Sequence, residues 1–323
     1  MSLQPASTPQ QRAGQVLGRV AGLFEIGRQA GTNRPGLGGG EQRAHDLVAA
    51  WMAEAGLAVE VDRAGNLIGR LPGSDPSLME VWNGSHLDTP PDGGMFDGAL
   101  GVVAGLDAAA AIGAGSVRRT IAVVAFRLEE GCRFGRGVFG SRAMVGDIEP
   151  DEGDLLDVDG VSVAQAFAEL GLGRLPTRGW ADPPPACFLE HEIARSITGA
   201  VATIGRLVTL PGATNTIPGR AELFVDLSAS DAAGLDALVY RATAAAAEAV
   251  RRAVTGLGLD AVDLPSGAGH DAAIMATAGI PSAMLFARSV AGGVSHAPEE
   301  STGADAIVLC AQALESALRE LAA

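Results

Sequence analysis

The stretch Gly84-Ser85-His86-Leu87-Asp88-Thr89, closed by Phe96-Asp97-Gly98, decides how this chain is read. It places an imidazole and a carboxylate at the end of an apolar run. A second carboxylate then opens an Ala- and Val-rich helical pattern from Gly98 to Ile112. Open α/β sheets keep their sites at the carboxyl ends of strands. His and Asp are hard and borderline ligands suited to a divalent metal.

Working outward, Leu57–Val61, Asn66–Leu71, Glu80–Asn83 and Thr120–Phe126 read as strands, and Glu41–Ala55 as an amphipathic helix stopped by Gly56. Residues 1–40 read as a polar helix and a Gly-rich loop. One further helix is expected near Val161–Leu170. Val201–Leu210 and Arg220–Leu227 read as two antiparallel strands, followed by an Ala-rich helix over Ala232–Val254. The βα alternation then returns with Leu259–Val262, Ala272–Ala278, Ser282–Phe286 and Thr302–Leu321. The pattern predicts a three-layer α/β domain with a mixed sheet (residues 1–198 and 257–323), interrupted by a small β-β-α unit over 199–256.

Composition narrows the function. Of 323 residues, 47% are hydrophobic but only 4% aromatic, so the core is aliphatic. A net charge of −15 argues against nucleic acid and anionic membrane surfaces as partners. No run of 18 apolar residues exists to span a bilayer. The polar start lacks a signal-peptide core. Cys132, Cys187 and Cys310 show no metal spacing, which fits a reduced, cytoplasmic setting. All 23 basic residues are arginine, which removes Schiff-base and P-loop lysine chemistry.

Of five histidines, His45 sits on the predicted helix and reads as structural; His86, His191, His270 and His296 sit in Gly- or acid-rich stretches. Glu129-Glu130 follows an apolar strand, where one carboxylate can bind a metal while the other moves protons. Glu190-His191-Glu192 follows another apolar run, and Ser295-His296-Ala297-Pro298-Glu299-Glu300 precedes the last helix. Together these fit a two-metal hydrolytic site. Gly135-Arg136-Gly137-Val138-Phe139-Gly140 also matches G-x-G-x-x-G, but it follows two glutamates and does not directly join a strand to a helix.

Five blocks in order resemble the dinuclear-metal amidohydrolases of the M20-type peptidase superfamily. They are Gly84–Thr89 with Gly93–Gly98, Glu129–Gly131 with Gly140-Ser141-Arg142, Asn215–Gly219, Ser266–Ala272, and Ser295–Glu300. The resemblance covers about residues 41–145 and 200–320 and points to the branch of allantoate amidohydrolases, N-carbamoyl-L-amino-acid hydrolases and β-ureidopropionases. It implies two divalent ions (zinc, manganese or cobalt), with Asp97 bridging, His86 and His191 completing the first site, and Glu130 and His296 the second. It implies that Glu129 is the general base, that Asp88 orients the His86 ring, and that Asn215 and His270 contact substrate and stabilise the oxyanion. The implied activity is cleavage of a linear amide, N-carbamoyl or ureido C–N bond of a small molecule. N-acyl amino acid deacylation, dipeptidase-like activity and a non-catalytic binding role are the alternatives.

The chain departs from that family in two places. Only thirteen residues separate His191 from Gly205, an interval that holds much of a dimerising lid in the family, and His191 is followed by Glu192-Ile193-Ala194-Arg195 rather than Ile-Glu-Gln-Gly. The substrate-gripping arginine is replaced by Ser228 in Asp226-Leu227-Ser228-Ala229. Arg206, Arg220 or Arg288 are candidate replacements, and a homodimer through the shortened unit is an expectation.

Overall fold

The structure is a computed structural model that describes residues 8–177, 179, 184–193, 202–210, 220–227, 236–263, 269–290 and 293–323. Strands β1 (Ala58–Val61), β2 (Leu67–Leu71), β3 (Val81–His86), β4 (Ile121–Phe126), β5 (Cys187–Ile193) and β8 (Ser282–Ala287) form one six-stranded sheet in the order β1-β2-β4-β3-β5-β8. β3, β4, β5 and β8 run parallel, and β2 is antiparallel to both its neighbours. β3 and β4 are buried along their whole length. Central parallel strands are covered on both faces, which is why Ile121–Phe126 carries no polar residue at all.

One face is covered by α1 (Pro9–Phe24), α2 (Gly39–Glu54), α3 (Ala99–Ile112) and α8 (Ala304–Leu321), whose apolar residues join Val81, Val123, Ala125, Leu189 and Leu285 in the main core. The other carries α4 (Phe139–Val145) and α7 (Asp271–Thr277), which pack Met144, Ala272 and Met275 on Trp82, Val124, Phe126 and Phe188. A third cluster joins α5 (Val163–Glu169) to the loop after β4 through Phe167, Phe139 and Leu128. This is the expected three-layer mixed sheet.

Two close approaches fix how these elements pack. A Cβ on Gly84 would lie 1.9 Å from the Val124 carbonyl oxygen, so β3 and β4 pair here only with glycine, whose φ is +152°. A Cβ on Gly101 would lie 2.2 Å from the His191 carbonyl oxygen, which brings α3 onto β5. α3 is nearly all apolar, as a helix buried on all sides must be.

β6 (Ala202–Leu210) and β7 (Arg220–Leu227) pair antiparallel in a sheet of their own, with an irregularity between Ile204 and Arg206. α6 (Asp236–Gly256) returns to the main domain: Ala246, Ala249 and Ala253 are buried in the core shared with α8. The strand expected over Leu259–Val262 does not form. The run is short, carries Asp260 at its centre and follows the turn at Gly258 that ends α6; Leu259 and Val262 stay exposed.

Candidate metal centre

His86 ends β3 opposite Phe126, the last residue of β4, so the two chain exits lie side by side. After Phe126 the backbone turns through Leu128, whose φ of +50° is unusual for a branched side chain. Two buried carboxylates hold that turn. Glu41 Oε1 accepts from Leu128 N (3.0 Å), and Glu41 Oε2 accepts from Leu37 N (2.7 Å) and from Arg127 Nη1 (3.0 Å). Asp88 then accepts from Glu129 N (3.1 Å) with Oδ1 and from Glu130 N (3.0 Å) with Oδ2. Asp88 Oδ1 also lies 3.5 Å from His86 Nδ1, and the Asp88 carbonyl oxygen lies 3.1 Å from it. One buried aspartate thus ties the His86 ring to the backbone of both glutamates.

The second wall is built from the start of α3 and the loop before α8. Glu300 Oε1 accepts from Phe96 N and Asp97 N, both at 2.8 Å. Ser295 Oγ lies 3.2 Å from Asp97 Oδ2 and 3.3 Å from Glu300 Oε2. His296, 38% exposed and at a left-handed φ of +58°, places Nε2 2.8 Å from Asp97 Oδ2 and 3.1 Å from Glu130 Oε1. Across the site, His86 Nε2 is 3.7 Å from both Asp97 Oδ1 and Glu129 Oε2. Ligand-type atoms of Asp97, Glu130 and His296 lie within 4.8 Å of one another, and so do those of His86, Glu129 and Glu130. This donor set of imidazoles and carboxylates fits divalent ions.

The electrostatics agree with such a site. Burial opposes charge on His86, yet Glu129, Asp88 and Asp97 outweigh it and hold the imidazole well above its ordinary value. Burial likewise opposes charge on His296, but its hydrogen bonds to Asp97 and Glu130 raise it to about 10. Burial, then Glu130, Asp271 and Asp88, push Glu129 well above the usual carboxylate range against the pull of His86. Glu300 is pushed to about 7 by burial and Asp97. Crowded carboxylates are relieved by positive charge, whether protons or a cation.

His191 does not join this cluster. It is 1% exposed, and its register partner Leu285 belongs to the main core. Burial lowers its pKa to about 4. The physical reason is strand alternation: Leu189 and His191 face α3 and α8, whereas Phe188 and Glu190 face α7.

His270 caps the start of α7, buried, its ring edge-on to Phe286 with centroids 6.4 Å apart. Beside it lie two buried acids. Glu190 Oε2 accepts from Ala272 N at 2.8 Å, and Asp271 is fully buried beside it. Burial and then the charge of Asp271 raise Glu190 to about 8, and burial raises Asp271 to about 7. Asn215 and Ser228 lie outside the described residues. Arg288 is exposed just past the carboxyl end of β8. His45 is buried on α2 with both ring nitrogens unpartnered, away from the cluster.

Sequence reasoning missed Glu41 and the anchoring role of Glu300. An acidic residue in a first helical turn normally reads as complementing the helix dipole, which hides the long-range contact of Glu41. The signal for Glu300 was present: a glutamate that closes a Gly-Val-Ser-His loop has the backbone amides of a helix start within reach.

Comparison with known proteins agrees with this geometry. The chain is 34% identical to an N-carbamoyl-L-amino acid amidohydrolase from Geobacillus stearothermophilus, over 90% of this chain and 94% of that protein. That match runs over 387 residues whereas the chain has 323, so it spans segments of the relative that this chain lacks. It is 25% identical to allantoate deiminase 2 of Glycine max, covering 87% and 84% of the two chains. The crystal structure of an amidase of the hydantoinase/carbamoylase family from Burkholderia multivorans superposes with a TM-score of 0.78 at 25% identity, over 96% of this chain and 98% of that one. The model of peptidase family M20/M25/M40 matches residues 82–320, and the chain belongs to that family.

Proposed function

We propose that this protein is a hydrolase of small molecules that cleaves a linear, non-peptide C–N bond, of the N-carbamoyl or ureido class, with two divalent ions. The observation that carries this is Asp97, whose two oxygens face two different histidines, His86 and His296. Asp97 would bridge the ions, His86 serving the first and Glu130 with His296 the second. Bound there, the ions would polarise the scissile carbonyl and acidify the attacking water. Zinc, manganese and cobalt all suit these donors.

The remaining work falls to the protein. Glu129 stands 3.7 Å from His86 Nε2 and is held by Asp88 through its amide. A carboxylate with a raised pKa is matched to taking the proton of water and returning it to the leaving nitrogen. His270 stands at the start of α7, where it would donate to the developing oxyanion together with Asn215. For an N-carbamoyl amino acid the products are ammonia, carbon dioxide and the amino acid. Ser228 stands where the resemblance expects an arginine, so the substrate either lacks an α-carboxylate or meets another arginine, with Arg288 at the β8 exit the described candidate. Among the described residues β6 and β7 pair only with each other, and such two-stranded edges favour pairing with a second copy. A cytoplasmic setting is favoured by the free cysteines, and no helix among the described residues is long and apolar enough to cross a membrane.

The test is turnover after reconstitution with Mn²⁺, Co²⁺ or Zn²⁺ on N-carbamoyl, ureido and N-acyl compounds, each with and without an α-carboxylate. Ammonia release from carbamoyl or ureido compounds is the expected result. Cleavage of N-acyl compounds alone would shift the reading to a deacylase, and an inert panel would contradict it.

A further inference from the structure

The connection between α1 and α2 carries Thr32-Asn33-Arg34-Pro35-Gly36, and it lies along the loop that leaves β3. Thr32 and Gly93 exchange both backbone hydrogen bonds at 3.0 Å. Arg34 N donates to Thr89 Oγ1 and Thr89 N donates to Arg34 O, each at 3.0 Å. A Cβ on Gly36 would lie 3.1 Å from Asp88 Oδ2 and 2.3 Å from Leu128 Cδ1, so the same connection abuts the turn before Glu129.

The Arg34 side chain is fully buried, a rare place for a guanidinium. Nε donates to Leu87 O at 2.7 Å, and Nη1 donates to Leu23 O at 2.8 Å and to Thr32 Oγ1 at 2.9 Å. Leu23 O is one of the last carbonyls of α1, where the helix dipole favours a cation. Among the described residues Arg34 has no ion-pair partner; Asp88 and Glu41 reach it by charge alone. Burying a cation without a paired acid is costly, and cohesion alone would favour an apolar side chain here. What the guanidinium supplies instead is a planar fork that spans carbonyls from two different elements.

These contacts fall on both sides of Asp88. Leu87 O is fixed before it and Thr89 after it. Asp88 in turn meets His86 Nδ1 through its carbonyl and accepts from the amides of Glu129 and Glu130 with its carboxylate. We propose that Arg34 is a positioning residue of the metal centre: its fork, anchored on α1, locks the Leu87–Thr89 turn and so sets the reach of Asp88 to the His86 ring and to both glutamate amides. The inference rests on the two-metal reading above, and Arg34 itself is not a ligand.

The experiment titrates Mn²⁺ into the metal-stripped full chain, reading the free ion by electron paramagnetic resonance and recording Tm with and without it. Wild type, Arg34→Lys and Thr89→Val are compared, with circular dichroism to verify folding. Lysine keeps the charge but cannot reproduce the planar fork. Valine keeps the shape of Thr89 and removes the oxygen that receives the Arg34 amide. Arg34→Lys is expected to weaken at least one ion about 10–100-fold, the usual cost of losing a group that orients ligands, and to shrink the rise in Tm on loading. Thr89→Val is expected to shift both readings the same way. A residue that only holds the fold together would lower Tm equally in stripped and loaded protein and leave the affinities unchanged. That result in folded Arg34→Lys would overturn the assignment. If Arg34→Lys does not fold, wild-type affinities in Thr89→Val overturn it. Fewer than two ions in the wild type would instead overturn the two-metal reading, and this inference with it.

Discussion

Asp97 divides its carboxylate between two histidines: Oδ1 lies 3.7 Å from His86 Nε2, and Oδ2 lies 2.8 Å from His296 Nε2. Its backbone amide is fixed separately by Glu300. Asp97→Ala is therefore expected to abolish binding of both ions, whereas His296→Ala removes only the second. Metal content after reconstitution distinguishes the two. Retention of two ions by Asp97→Ala would remove the bridging role.

Glu129 has its amide held by Asp88 and its carboxylate near His86, but it is not assigned as a ligand. Glu129→Gln should leave two ions bound and lower kcat by roughly 10²–10⁴-fold, the usual contribution of a positioned acid–base group. Unchanged turnover on a verified substrate would exclude it as the base.

Glu41 reaches the turn before Glu129 from α2, 87 residues away from Leu128 in sequence. It neutralises Arg127, which is buried, and satisfies Leu128 N at its left-handed φ. Removing one member of a buried pair costs about 3–5 kcal/mol. Glu41→Gln should lower the unfolding free energy by about 3 kcal/mol in denaturant titration and reduce kcat more than it changes KM. A change below about 0.5 kcal/mol would show that the pair holds nothing in place.

Asp271 is buried and raised from 3.8 to about 7, chiefly by burial and against a hydrogen bond from Ser141. A carboxyl held above its unfolded value binds its proton more tightly when folded. Its contribution to stability is complete below pH 4 and is lost as pH rises through 7, by up to about 1.4 kcal/mol per pH unit for one proton. In metal-stripped protein, Asp271→Asn should flatten the decline in stability between pH 4 and 7 and raise Tm at pH 8. An unaltered pH profile would show that Asp271 does not titrate there.

The layers were legible because buried parallel strands must be apolar: Ile121–Phe126 and the Ala-rich Ala99–Ile112 helix announce themselves without any partner in view. Most of the residues that the structure gathers into the candidate metal cluster were legible too, since His86, Asp97, Glu129 and Glu130 sit at exits of those elements and the loop carrying His296 was marked by its glycines. His191 was not. Motif spacing identifies a histidine near a strand end, but only the register with Leu285 and Gly84 shows which face it takes. Glu41 depended on tertiary contact across the chain, which no local pattern encodes. Leu259–Val262 shows the reverse case, an apolar pattern too short and too interrupted to form a strand.

The most direct measurement is ammonia release from an N-carbamoyl amino acid panel as metal is titrated into chelator-stripped protein. The account predicts negligible turnover without metal, a rise that saturates at two equivalents per chain, and loss of that rise in Glu129→Gln despite full loading. Full activity in stripped protein, or saturation with no second equivalent bound, would contradict it.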